Sequence, residues 1–227
     1  MSLLGKAALA MWWDMAPDMR SDFEDWHSHE HFPERLSIPG FRRGSRYCSA
    51  TGGEGIFVMY ELEEYGILSS PHYLARLNAP TAWSTKLMPH HRNMVRSPSR
   101  VLESRGGGVA GQTLTVRLSP ATGRDDDLRA SLRSLISGLV TRPGLTGAHL
   151  LRHEAPAIAQ TTEQRIRGGA DRSADWVFVA CGYDATVLEA LAKSELAADS
   201  LAKWGASPGQ VSGVYSLSYS AVPGDVS

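Results

Sequence analysis

The chain has 227 residues, 42% of them hydrophobic and 21% charged, which is enough apolar material for a proper core and excludes a disordered segment. A formal net charge of −1 and a pI near 6.7 offer no strong field to draw in DNA, RNA or an anionic membrane. Two cysteines, Cys48 and Cys181, lie far apart in apolar runs without a CxxC pair; they indicate neither a zinc nor a redox motif and read as reduced, buried thiols of a cytoplasmic protein.

Lys6 followed by the apolar run Ala7 to Trp13 has the start of a signal peptide, but Asp14 and Pro17 follow where a small-residue cleavage site would stand. The run is also too short to span a bilayer, so it is expected to be a buried strand over 5–13. Pro17 opens a helix that reaches about Leu36. A turn at 38–41, a second strand from Phe41, a glycine-rich hairpin turn at 51–55 and a third strand from Ile56 come next. A helix near 70–77, a helical or irregular piece over 80–91 and a fourth strand over 94–104 complete the first half. Pro98 makes that fourth strand read as an edge.

The glycine-rich stretch at 104–112 is a natural seam, and the order then repeats: strand (113–119), helix (123–140), Pro-Gly turn and strand (142–155), strand (174–184), helical segment (185–204) and strand (210–222). Pro39-Gly40 and Pro143-Gly144 are the matched pair that aligns the halves. Residues 1–106 and 107–227 are thus each expected to be a βαββαβ, ferredoxin-like unit of class α+β. Ile56, Val58 and Tyr60 face one side of their strand, Phe57 and Met59 the other, so the sheet needs a second cover. The simplest cover is the sheet of the other half, giving an antiparallel barrel with helices outside.

The first half carries Trp26, Glu30-His31, Pro33-Glu34-Arg35-Leu36, Pro39-Gly40-Phe41, Arg46-Tyr47, Tyr60-Glu61-Leu62, Tyr73-Leu74, Leu77 and Pro80-Thr81 with Trp83. In these residues the chain resembles the dimeric α/β-barrel superfamily in a tandem-repeat form; the second half matches in element order alone. The resemblance implies the barrel fold. It also implies a range of activities, since the superfamily includes cofactor-free monooxygenases, polyketide cyclases, lactone isomerases, aldoxime dehydratases and haem proteins.

Three of the eight histidines, His27, His29 and His31, fall within the segment "WHSHEH". On an ideal helical wheel Phe23, Trp26, Glu30 and Glu34 share the sheet-facing side, with His27 on its flank and His31 further round. The equivalent second-half helix has a plain stripe of Leu128, Leu132, Leu135 and Leu139. Polar groups facing a sheet where the sister helix has leucines point to a pocket that uses them. Three readings stand: a solvated helix end, an acid–base pocket of His31, His27 and Glu30, and a metal site at the i, i+4 pair His27 and His31. HxHEH is not HExxH and no third ligand is apparent, so no metal is assigned.

Tyr60 is a candidate donor to a developing oxyanion and Arg46 to a carboxylate or phenolate, and Glu30 or Glu61 is a candidate carboxylate to accept from His31 and orient it. Trp12, Trp13, Trp26 and Trp83 are candidate walls of an apolar cavity, or core residues. His90-His91 reads as solvated, and the arginine-rich loop 161–173 as a lid or subunit contact whose Arg165, Arg167 and Arg172 either reach an anionic group or are exposed. His149 and His153, on one strand face, are candidate haem ligands. The leading expectation is an enzyme without a redox cofactor, an isomerase, cyclase or lyase using proton transfer on a small hydrophobic, aromatic or cyclic substrate. The alternatives are a non-catalytic ligand-binding or assembly protein and a haem- or metal-dependent enzyme. No nucleic-acid or membrane partner is expected, and an edge at 94–104 would allow two chains to pair as a homodimer.

Overall fold

The computed structural model describes residues 3–49, 55–107, 109–168 and 171–226; the hairpin turn expected at 51–55 lies, apart from Gly55, outside them. Strand β1 (Ala7–Met15) leads into α1 (Arg20–Trp26), a π-helical turn (His27–His31) and α2 (Phe32–Leu36). The strands β2 (Phe41–Ser49) and β3 (Ile56–Leu62), the helices α3 (Pro71–Asn78) and α4 (Ala82–Leu87), and β4 (His91–Gly106) follow. The order then recurs as β5 (Gln112–Leu118), α5 (Asp125–Leu139), β6 (Leu145–His153), α6 (Thr162–Ile166), β7 (Trp176–Gly182), α7 (Ala185–Lys193), α8 (Ala198–Trp204) and β8 (Val211–Ala221).

The strands pair antiparallel and close into a barrel in the order β1-β3-β2-β8-β5-β7-β6-β4. The two four-stranded sheets meet at β2–β8 and at β4–β6. Every residue of β3 and β7 is buried, because one face looks into the barrel and the other lies under helices. The apolar residues therefore form three cores. Trp12, Phe57, Met59 and Val177 help fill the barrel, Phe23, Trp26, Val58 and Tyr60 lie under the first-half helices, and Leu114, Leu132 and Phe178 lie under the second-half helices.

Trp12 joins the halves inside the barrel. Its ring stacks on Phe57 (centroids 5.0 Å, 24°), its indole N–H donates to Thr115 Oγ1 of β5 at 3.2 Å, and the Arg117 guanidinium lies 5.1 Å above it. Burial of this ring is worth about 3–5 kcal/mol against alanine.

The structure corrects the edge-strand expectation. β4 pairs β1 on one side and β6 on the other, so the pairing edge predicted at 94–104 does not exist. Pro98 is tolerated because a residue's N and O point to the same side of an antiparallel strand. Its carbonyl accepts from the Glu154 N–H at 3.0 Å, so its missing N–H falls just past Ser99–His153, where the β4–β6 ladder ends. Among the described residues no helix is long and apolar enough to cross a membrane.

The Pro-Gly pair makes the same turn twice. Phe41 N–H bonds Ile38 O and Leu145 N–H bonds Arg142 O, both at 3.1 Å, with Gly40 and Gly144 at φ +92° and +90°. These are type II turns with proline second and a left-handed glycine third. Each glycine carbonyl then accepts at 2.9 Å from the start of the following turn, Glu63 N–H in one half and Tyr183 N–H in the other. A Cβ on Gly40 would lie 2.2 Å from Ile67 Cδ1. Gly40→Ala is expected to destabilise the fold by about 1–3 kcal/mol through backbone strain plus crowding, read as a lowered denaturation midpoint. An unchanged midpoint would contradict the turn assignment.

Candidate active site

The helical arm is not a regular helix, and its irregularity makes the site. Pro33 has no N–H to give the His29 carbonyl, and its ring crowds that carbonyl in an α-helix. The chain widens instead into the π turn His27–His31, where Phe32 N–H reaches back five residues to His27 O. Residues four apart then lie nearly above one another. The His27 and His31 rings stack at 5.4 Å and 21°, and His31 also lies against Trp26 at 4.4 Å. The ideal-wheel expectation is thereby corrected. His27 and His31 turn inward and are 1% and 8% exposed, while Glu30 and Glu34 stay at the flank, half-buried.

Beneath them the outer face of the sheet leaves a narrow cavity of about 50 Å³ inside a cleft of about 490 Å³. Trp13 of β1, Tyr60 of β3 and Arg96 of β4 form its floor; Trp26, His27, His31 and Arg35 form its roof; Tyr73, Met88 and His91 form one end. The last wall comes from the other half: Glu163 and Arg167, on and just after α6, reach across from the loop between β6 and β7. That loop was expected to be a lid or a subunit contact, and it packs over the cleft of its own chain.

Charge inside the cleft is arranged by ion pairs. Arg35, 3% exposed, pairs with Glu163 and with Glu34 Oε2 at 3.2 Å. Burial opposes its charge, but Glu163 and Glu34 more than compensate and hold it firmly protonated. The histidines go the other way. Burial first, then the Arg35, His27, His91 and Arg167 charges, depress His31 well below the usual imidazole range; burial and Arg46 do the same to His27. His91 falls to about 4 through burial and Arg167. All three are neutral at pH 7. The His91 Nδ1 lies 3.2 Å from both Leu87 O and Met88 O, which accept only, so Nδ1 carries the proton and Nε2 is the free acceptor. Tyr60 is pushed far above the usual phenol range by burial and remains a neutral O–H donor.

Among the described residues five buried side-chain polar atoms have no hydrogen-bond partner, and four of them belong to residues lining this cleft: Trp13 Nε1, His31 Nδ1, Tyr60 Oη and Arg167 Nε. The nearest carboxylate to His31, Glu34 Oε2, is 3.8 Å from Nδ1, too far for a hydrogen bond. Buried polar groups are nearly always satisfied, so four orphans at one cavity are polar groups open to a bound molecule or to water.

The other candidates lie outside the cleft. Arg46 backs His27: its Nη1 is 3.5 Å from His27 Nδ1 and donates to Glu24 O at 3.2 Å, pinning the π turn from behind. Since guanidinium only donates, His27 Nδ1 is the accepting nitrogen. Glu30 supports Trp26 rather than a histidine, accepting the Trp26 indole N–H at 3.0 Å and the Thr81 hydroxyl. Glu61 projects to the opposite face of β3 from Tyr60 and holds Arg43 at 2.6 Å and the Leu4 N–H at 2.7 Å. Trp12 is in the barrel core, and Trp83 lies in the helix layer, donating to Asp22 at 2.8 Å. His149, 2% exposed, sits 2.9 Å from Ser104 Oγ, and neither it nor His153 lines the cleft. Among the described residues no three His, Cys, Asp or Glu side chains are grouped so as to hold a metal ion.

Trp13, expected as a cavity wall, does line the cleft, whereas His91, Arg35, Arg96, Tyr73 and Glu163 are the cleft residues that sequence reasoning missed. His91, expected to be solvated, lies against Trp13 at 5.2 Å instead. The alternation of β1 separates the two neighbours named together, turning Trp13 to the cleft and Trp12 into the barrel. Nothing local in the sequence signals the arrival of Glu163 from the other repeat.

No family model matches the chain, and no curated protein matches it in sequence. Solved structures do resemble it. An anthrone oxidase-like protein aligns over 99% of this chain and 96% of its own, with TM-score 0.64 and 10% identity. A proposed monooxygenase from Fusobacterium nucleatum subsp. nucleatum aligns over 97% and 96% with TM-score 0.61 and 7% identity. Another from Lactobacillus acidophilus aligns over 96% and 97% with TM-score 0.60 and 8% identity. At such identities the likeness is one of fold, and it runs the full length of the barrel.

Proposed function

We propose that the chain is a small-molecule enzyme that removes a proton from an oxygen-bearing aromatic compound, using its own side chains for the acid–base work. The convergence of four unpartnered buried polar atoms on a cleft roofed by stacked neutral histidines carries this reading. His31 is the base. It takes the proton of an acidic C–H, and the electron pair of that bond moves onto the conjugated carbonyl oxygen. The Tyr60 O–H and Trp13 N–H donate to that oxygen. The transfer leaves the total charge of the cleft unchanged, so the new imidazolium and the new oxyanion stabilise each other in a site that disfavours either alone. Met11, Met88 and Met94, flexible side chains at the cleft wall, allow a flat ring to enter a cavity that is narrow at rest.

The carbanion can be reprotonated at another carbon, expel a leaving group or react with dioxygen. The last continuation is favoured by the names of the structural neighbours, one anthrone oxidase-like and two proposed monooxygenases. An anthrone is a flat aromatic ketone with an acidic C–H group, the kind of molecule that this cleft is suited to deprotonate.

Anthrone is therefore the first probe. Exchange of its acidic hydrogens in D₂O, followed anaerobically by proton NMR, is expected to be faster with the protein than in buffer. His31→Gln, folded as judged by circular dichroism, is expected to lose about 10²–10⁴-fold of that rate. No exchange by the wild type above the buffer rate, or full exchange by the variant, would overturn the proposal.

The pH profile follows from the sign of the shift. The base works when neutral, and the folded protein holds His31 below its ordinary value of 6.5. The rate should therefore be level from neutral pH to below 6.5 and fall only as pH drops through the depressed value. An acid limb centred at or above 6.5 would contradict the assignment of His31 as the base.

A further inference from the structure

We propose that the mouth of the cleft is an anion seat, built by Arg96 and Arg167, that selects substrates carrying a carboxylate on or beside the aromatic ring. This rests on the reading of the cleft as the substrate pocket.

Both arginines line the cleft and also a smaller recess that they share with Thr161 and Gln164. Arg96 projects from β4 and is held by one hydrogen bond, Nη2 to the Tyr73 hydroxyl at 2.7 Å. Among the described residues no carboxylate lies within ion-pairing distance of it. Arg167 comes from the other repeat with a side chain 11% exposed. Its Nη2 is taken by Asp171 at 3.1 Å and its Nη1 lies 3.6 Å from Glu163 Oε2, but its Nε is buried without a partner. Glu163, the acid that lines the same cavity, is shared between Arg35, through Oε1, and Arg167, through Oε2, and makes no ion pair with Arg96.

The seat thus has a cation with no counter-ion and a buried guanidinium N–H with no acceptor, side by side at one opening. A carboxylate answers both, since it carries one negative charge and two oxygens that accept charge-assisted bonds from guanidinium donors. A neutral oxygen would satisfy the donor and leave the charge. The seat faces the histidine pair across the cleft, so a carboxylate held there would orient the ring beneath His31 before the proton moves. It would also explain why the second repeat sends a loop over the first: without Arg167 the seat is half built.

Salicylate and its neutral near-isostere salicylamide separate the two terms, because they share the ring and hydroxyl and differ in charge. Binding to the full chain is read by calorimetry and by quenching of tryptophan fluorescence, as Trp13 and Trp26 line the cleft. Salicylate is expected to bind about tenfold more tightly or better at low ionic strength, and Arg96→Met, which keeps the stem and removes the charge, is expected to bring the ratio to about one. Arg96 is half-buried at the mouth, so this variant should fold; the more enclosed Arg167→Met is the second test, with its melting curve as control. Equal affinity of the two probes for the wild type, or an unchanged ratio in folded Arg96→Met, would overturn the seat while leaving the pocket. Binding of neither probe would overturn the pocket reading and the seat with it.

Discussion

A four-stranded sheet that is apolar on both faces cannot stand with helices on one side alone, and everything else in this molecule depends on how that second face is covered. The chain solves it internally. Trp12, Phe57 and Met59 of one half meet Val177, Val179 and Tyr215 of the other, and the β2–β8 and β4–β6 pairings seal the barrel. Closure removes the exposed edges that would invite pairing with other chains. It also leaves the outer face of each sheet as a separate compartment beneath its own helices, and the first of these compartments holds the site.

Much of this was legible in the sequence. The alternation in "IFVMYEL" gave a strand buried on both faces, and the recurrence of Pro-Gly before each second strand gave the repeat. Both follow from local rules of side-chain direction and turn stereochemistry, which a sequence carries explicitly. The cleft was legible in part. His27, His31, Tyr60 and Trp26 were singled out and do line it, whereas Glu61 and Trp12 were named on chemistry alone and face the barrel. The wheel failed for a definable reason: it assumes a constant turn, and Pro33 forces a π turn that redirects two imidazoles. The closed barrel likewise overrode the edge reading of Pro98, because a lost N–H costs nothing where a ladder already ends.

The electrostatics of the cleft are set by pairs rather than by single residues. Arg35 remains charged in a buried position because Glu163 and Glu34 flank it, and its charge helps keep His31 and His27 neutral. Arg46 acts from behind on His27 and gives its other bonds to the backbone and to Ser218. A protonated histidine pair at 5.4 Å would repel, so stacking and neutrality sustain each other. The site is thus primed to accept one proton and to resist a second.

The two repeats have divided their labour, and the division has a physical basis. Helix α5 presents Leu128, Leu132, Ile136 and Leu139 to its sheet, a stripe that fills its compartment with hydrocarbon and stabilises the chain. The first-half arm gives up some of that stabilisation by placing imidazoles, a guanidinium and unpartnered donors over its sheet. A homodimer of identical units would have to bear that cost twice or not at all. Joining two unlike units in one chain lets one supply packing energy while the other holds a polar cleft, and it allows the second unit to lend α6 to the site. The Arg35–Glu163 pair is where that loan is made, since it ties the roof of one repeat to the loop of the other. Breaking it would leave the buried arginine with Glu34 alone and free the loop of its tie to the roof, so the charge balance of the cleft and the placing of its last wall rest on the same contact.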